Sequence, residues 1–160
     1  MHNLPPIEEI IEAFQFFDNW EDRYRFLIEL GEKLPPLAAD QQNEQNRVTG
    51  CVSSAWIVAQ PGADPGSLIF SGDSDAATVK GLIAVLSSLY SGKNSAGIAS
   101  LDADRIFEQL RLYDHLSPTR HVGVYAMVEK IKSIANSYAI DCAEETNADR
   151  YPRQQLQQLY

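Results

Sequence analysis

The chain has 160 residues, 44% of them hydrophobic and 22% charged, with a formal net charge of −9. That length suits one domain able to bury about two thirds of its unfolded surface. The acidic balance argues against nucleic acid or an anionic membrane as the main partner, since both demand clustered Lys and Arg, and it suits a partner with a basic patch.

Pro5 and Pro6 precede Ile7, Ile10, Ile11, Phe14 and Phe17, a one-sided helical spacing in which proline is tolerated in the first turn. Asp18 or Asn19 breaks the chain and caps a second helix with an apolar face of Trp20, Tyr24, Leu27, Ile28 and Leu34, stopped by Pro35-Pro36. Residues 38–46 are polar and read as an exposed loop. A hairpin follows, with strands at 52–60 and 67–71 around a Pro- and Gly-rich turn, and 47–49 is a candidate further strand. Asp73-Ser74-Asp75 offers caps for a long helix whose stripe is Val79, Leu82, Ile83, Leu86, Leu89 and Tyr90, ended by Ser91-Gly92. A short helix or turn is predicted at 98–100, and a helix at 104–110 with Ile106, Phe107 and Leu110 inward. Ser117-Pro118 starts the last long helix, with Val124, Val128, Ile131, Ile134 and Tyr138 on one side. From residue 141 the chain turns polar and, at 153–158, Gln-rich. The expected organisation is a single domain over 1–140 and a tail over 141–160, mobile or weakly helical. The fold class is α+β: a small antiparallel sheet of about three strands with helices packed on one face.

There are two cysteines, Cys51 and Cys142, with no CxxC and no Cys/His pair at metal-ligand spacing. Their separation leaves a disulfide open, but this usage fits a reduced compartment better. The N-terminus has no basic start followed by an apolar run, and the longest apolar-rich stretch, 81–89, is too short to span a bilayer. A soluble, cytoplasmic protein is expected.

The chemistry concentrates on Cys51, in Val48-Thr49-Gly50-Cys51-Val52-Ser53-Ser54-Ala55-Trp56. A deprotonated thiol is a strong nucleophile and can carry a sulfane sulfur. Gly50 supplies a turn just before it, and the apolar run 55–59 places it where a loop enters a strand. Such a cysteine is either a small core residue or a nucleophile. Ser71-Gly72-Asp73-Ser74-Asp75 reads as a helix N-terminus, as a loop covering the Cys51 sulfur, or as both, with helix amides that would favour a thiolate. Arg120, with His115 and His121, forms a candidate positive spot for a docking carboxylate, or a solvated helix start. Trp56 reads as core ahead of sulfur shelter, Lys80 as an exposed helix residue, and Cys142 as incidental.

Three blocks, the cysteine segment just quoted, residues 70–86 (FSGDSDAATVKGLIAVL) and Leu116-Ser117-Pro118-Thr119-Arg120, resemble the SufE family, which includes the close relative CsdE. The likeness takes in residues 20–34 and runs from roughly Pro6 to Ala135. It implies a SufE/IscU-like fold. It also implies that Cys51 is an acceptor of sulfane sulfur, held as a persulfide and taken from a cysteine desulfurase of the SufS or CsdA kind. The chain would stimulate that desulfurase and relay sulfur toward a downstream Fe–S scaffold, as a carrier and activator more than a stand-alone enzyme. It would need no cofactor of its own, since pyridoxal phosphate belongs to the desulfurase. Neither nucleic acid nor membrane would be a partner, and the chain would be a monomer or weak homodimer. Gly50, Gly72, Asp73, Ser74, Asp75 and Arg120 are candidates for contacting the partner or sheltering the thiol.

Rival readings are a thiol hydrolase or acyltransferase, pairing Cys51 with His115 or His121 and an orienting Asp73 or Asp75, and an adaptor of the same fold without sulfur transfer. A cluster scaffold would need about four soft ligands, against one cysteine in the matched region.

Overall fold

A computed structural model describes residues 4–150. Two helices, α1 (Ile7–Phe16) and α2 (Trp20–Glu32), open the chain. Pro6 sits at the first cap, and Asn19 Oδ1 accepts the Asp22 N–H at 2.9 Å, so the sequence cap at Asn19 is the one used. The hairpin is β1 (Ala55–Pro61) and β2 (Ser67–Ser74), followed by α3 (Ala77–Tyr90), β3 (Lys93–Asn94), α4 (Ser95–Ser100), α5 (Ala103–Gln109) and α6 (Pro118–Arg150). Short 3-10 turns lie at Ala39–Gln41 and Tyr113–His115. Helix α6 runs past residue 141 to Arg150, while the Gln-rich tract at 153–158 and the Cys142 side chain lie outside the described residues. Among the described residues no helix is long and apolar enough to cross a membrane.

The sheet is antiparallel in the order β1-β2-β3. Its third strand is not 47–49. Arg47 makes only an isolated bridge to Trp56, and the two-residue β3 takes the other edge, pairing with Ser67 and Leu68. Strand β1 begins at Ala55, three residues later than the predicted 52, because residues 49–54 leave the ladder as a loop. Strand β2 runs three residues further than predicted, to Ser74, paired with Ala55.

Alternation along the ladder puts Ala55, Ile57, Leu68, Phe70 and Gly72 on the buried face. Trp56 belongs to the other face and is only partly buried, so it is not the core residue its size suggested. Helix α3 lies against the buried face and is itself enclosed nearly all round, from Val79 to Tyr90. Helix α2 crosses it so closely that a Cβ on Gly81 would sit 2.5 Å from the Leu27 carbonyl oxygen. Val124, Met127, Ile131 and Ala135 of α6 complete the core. Each large apolar side chain buried in this way contributes about 1.5–3 kcal/mol.

Candidate functional site

Two anchors define the loop that carries Cys51. Upstream, the buried Val48 donates its N–H to the Ala55 carbonyl at 2.8 Å. Downstream, the Ser54 carbonyl accepts the Ser74 hydroxyl at 2.7 Å and the Asp75 N–H at 3.2 Å. Between them the chain reverses through Gly50, whose φ of +97° lies in the left-handed region that favours glycine. Cys51 then turns inward and packs against the core, while Val52 beside it is 81% exposed.

The thiol faces a pocket of about 220 Å³ between the loop, α3 and the first turns of α6. Cys51, Val52 and Ser53 line it from the loop, Val79 from α3, and Arg120, Gly123 and Met127 from α6, with Ser117 and Thr119 at the helix start. Helix α6 begins where the sequence predicts. Pro118 supplies the first position and Ser117 Oγ accepts the Arg120 N–H at 3.3 Å. That geometry aims Arg120 at the loop, and its Nη1 donates to Ser53 Oγ at 3.2 Å.

Burial pushes the Cys51 thiol above its ordinary range, and the nearby Asp75 carboxylate adds to the rise. The Ser53 backbone N–H and the Arg120 and Arg47 guanidinium groups pull the other way without cancelling the burial. In the resting state the neutral thiol is therefore favoured, and the groups that would stabilise a thiolate are already beside it.

Several sequence candidates take other roles. Ser71-Gly72-Asp73-Ser74 is strand, not a turn or helix cap, and α3 starts at Ala77 with Ala76 at its cap and no capping side chain. The reason is Gly72. It pairs with Ile57, and a Cβ there would lie 2.4 Å from the Trp56 carbonyl oxygen and 2.8 Å from Ile83 Cγ2. Only glycine lets β2 pass so close to both, so this segment is fixed against the core and is no lid. Asp73 forms an ion pair with Lys80 at 3.6 Å, both partly buried, so Lys80 is not the free surface lysine the sequence suggested. Ser74 and Asp75 act on the site by holding the loop at Ser54.

Neither histidine lines the pocket. His115 stacks on Trp20, with ring centroids 3.8 Å apart. His121 turns to the Tyr113 carbonyl, 2.7 Å from its Nε2. The positive spot therefore reduces to Arg120, and the Cys–His arrangement of a thiol hydrolase is not assembled. Sequence reasoning missed Ser53, Val79, Gly123 and Met127. The one signal for the last two was their spacing of four along α6, the same spacing that marks an ordinary core stripe.

The chain matches the SufE family profile, described as an Fe-S metabolism associated domain, over residues 8–135. It is 45% identical over 134 residues to an uncharacterized SufE-like protein of Rhizobium etli, covering 82% of this chain and 90% of that one. A second uncharacterized SufE-like protein, from Rhizobium meliloti, is 42% identical over 134 residues, 82% of this chain and 96% of the relative. The solution structure of a hypothetical protein from Thermus thermophilus superposes with a TM-score of 0.68 at 20% identity, covering 86% of this chain and 98% of that one, which supports the fold. On this evidence the chain belongs to the SufE family of iron–sulfur metabolism.

Proposed function

We propose that Cys51 accepts sulfane sulfur from a cysteine desulfurase and holds it as a persulfide for delivery to an Fe–S scaffold, and that docking of the chain stimulates the desulfurase. The observation that carries this reading is the placement of Cys51: a thiol on a loop anchored at both ends, facing a small pocket with apolar walls at Val79 and Met127. Such a place suits a reactive sulfur that must be kept from water-borne reductants between loading and delivery. The donor is the partner's cysteine persulfide. The Cys51 thiol gives up its proton, and the thiolate attacks the outer sulfur. A sulfur–sulfur bond to Cys51 forms as the partner's breaks, and the departing cysteine thiolate takes up a proton. No net oxidation or reduction occurs. Carbon–sulfur cleavage and its pyridoxal phosphate belong to the desulfurase. Because the resting thiol is protonated and inward, the reading requires the partner to bind an opened loop better than the closed one.

The test is intact mass after incubation with a cysteine desulfurase, pyridoxal phosphate and cysteine. The chain should gain one sulfur, lost again with reductant. Cys51→Ser should abolish the gain and Cys142→Ser should leave it. A Cys51→Ser protein that still loads sulfur would reject the assignment.

A further inference from the structure

Gly123 lies inside α6, in the stretch that faces Cys51, and is buried. A glycine in a helix interior is less favourable than alanine, so something local should weigh against a methyl group. A Cβ built on Gly123 meets one group within 4 Å beyond its own helix, and that group is Cys51 Sγ at 3.4 Å. This is ordinary van der Waals contact, so the free thiol alone does not forbid alanine. Gly123 lines the same pocket as Val79 and Met127. A second sulfur on Cys51 would extend about 2 Å from Sγ. It is close in size to the methyl group that Gly123 lacks.

We propose that Gly123 is a specificity-determining residue for sulfur retention: its missing side chain is the seat of the outer sulfur of a Cys51 persulfide. The inference rests on the sulfur-acceptor reading and adds to it a named place where the sulfur is held. Val79 and Met127 wall the seat, and the polarizable Met127 thioether suits a sulfur neighbour. With alanine at 123 the outer sulfur and the methyl compete for one volume. The persulfide must then point out of the pocket, where cyanide and hydrophilic thiols reach it.

The test uses the full chain and inorganic polysulfide as the sulfur donor, so that no partner enters the result. Wild type and Gly123→Ala are loaded, freed of donor and challenged with cyanide, and the remaining sulfur is followed by intact mass. Iodoacetamide alkylation of the unloaded thiol and the thermal midpoint are measured alongside. The seat predicts that Gly123→Ala loses its sulfur about tenfold faster, the scale expected of one methyl forced into a filled site. Its free-thiol alkylation should match wild type, and its thermal midpoint should be equal or higher. Equal rates of sulfur loss in the two loaded proteins would overturn the seat and leave the acceptor reading standing. Failure of wild type to gain any sulfur on Cys51, with both this donor and a desulfurase, would overturn both. A lowered midpoint with faster alkylation of the unloaded thiol would assign Gly123 to helix packing and reject the seat.

Discussion

Two glycine-centred segments flank the site, and in composition they are alike: Thr49-Gly50-Cys51-Val52-Ser53 and Ser71-Gly72-Asp73-Ser74-Asp75. Both are rich in small polar residues and both read as turns. In the fold they are opposites. Gly50 has a left-handed φ, and a Cβ there would meet only the Ala126 methyl, at 3.5 Å. Gly72 is in the ladder, and a Cβ there would collide with the Trp56 carbonyl and Ile83. One glycine is needed for its backbone angle and the other for its absent side chain. The first permits motion around Cys51, and the second fixes the platform to which that motion is hinged. The gating proposed for Cys51 therefore falls to residues 49–53. Through Ser74 and Asp75 the second segment supplies the hinge's fixed side.

Hydrogen exchange should show this contrast most strongly. Among the described residues the amides of 49–52 have no backbone acceptor, whereas β2 is paired with β1 along its length and its Phe70 N–H is held by Ser91 Oγ at 2.9 Å. Local opening energies range from near zero in loops to the global value in core strands, so 49–52 should exchange faster than 70–73 by about three orders of magnitude or more. Adding a desulfurase should change the first segment and leave the second. Equal, fast exchange in both would restore the second segment as a lid.

Stability should separate the two glycines next. Gly72→Ala forces a methyl between a backbone oxygen and a buried isoleucine and should cost about 3 kcal/mol in urea unfolding. Gly50→Ala has room for its methyl and suffers only the left-handed backbone, about 1 kcal/mol. A larger loss at Gly50 than at Gly72 would reverse the assignment of rigid and movable segments.

Much of this was legible in the sequence. The helical stripes, the Asn19 cap, the breakers around 61–66 and the start of α6 are local signals, and each appears where its chemistry predicts. The placement of Cys51 in a loop leading into a strand was legible too, from Gly50 and the apolar run 55–59. The misread parts depend on distant contacts. Ser, Gly and Asp prefer turns in isolation, yet pairing with β1 and contact with α3 hold Ser71-Gly72-Asp73-Ser74 extended. Strand β3 has two residues, too few for any alternation to show. Ser53 and Gly123 gain their roles only because a loop folds over α6, and no spacing records which helix a loop covers. His115 and His121 were plausible by type alone, and their ring partners, Trp20 and Tyr113, drew them elsewhere.

The smallest effect, and the most diagnostic for the movable segment, concerns Arg120. This side chain does two things with opposite consequences. Its hydrogen bond to Ser53 holds the loop closed, which slows access to the thiol. Its charge favours the thiolate, which speeds reaction. Iodoacetamide reacts with the thiolate, so alkylation of wild type should rise with pH to a plateau, with a midpoint above the ordinary thiol value because burial opposes ionisation. Arg120→Gln removes the cation and should move that midpoint higher still. Below the midpoint each unit is a decade in thiolate, so a partly solvated charge should slow alkylation near neutral pH by about two- to fivefold. At the plateau ionisation no longer matters and only access remains, so the variant should match or exceed wild type there. Salt should shrink the neutral-pH difference and leave the plateau alone. The linkage to folding has one sign. A thiol whose value is raised by folding contributes stability that is fully present below its unfolded value and is lost as pH rises through the folded one. Cys51→Ser should remove that alkaline loss from the urea midpoint. If Arg120→Gln instead alkylates faster at neutral pH with an unmoved midpoint, the guanidinium works only as a latch on Ser53, and its electrostatic role is rejected.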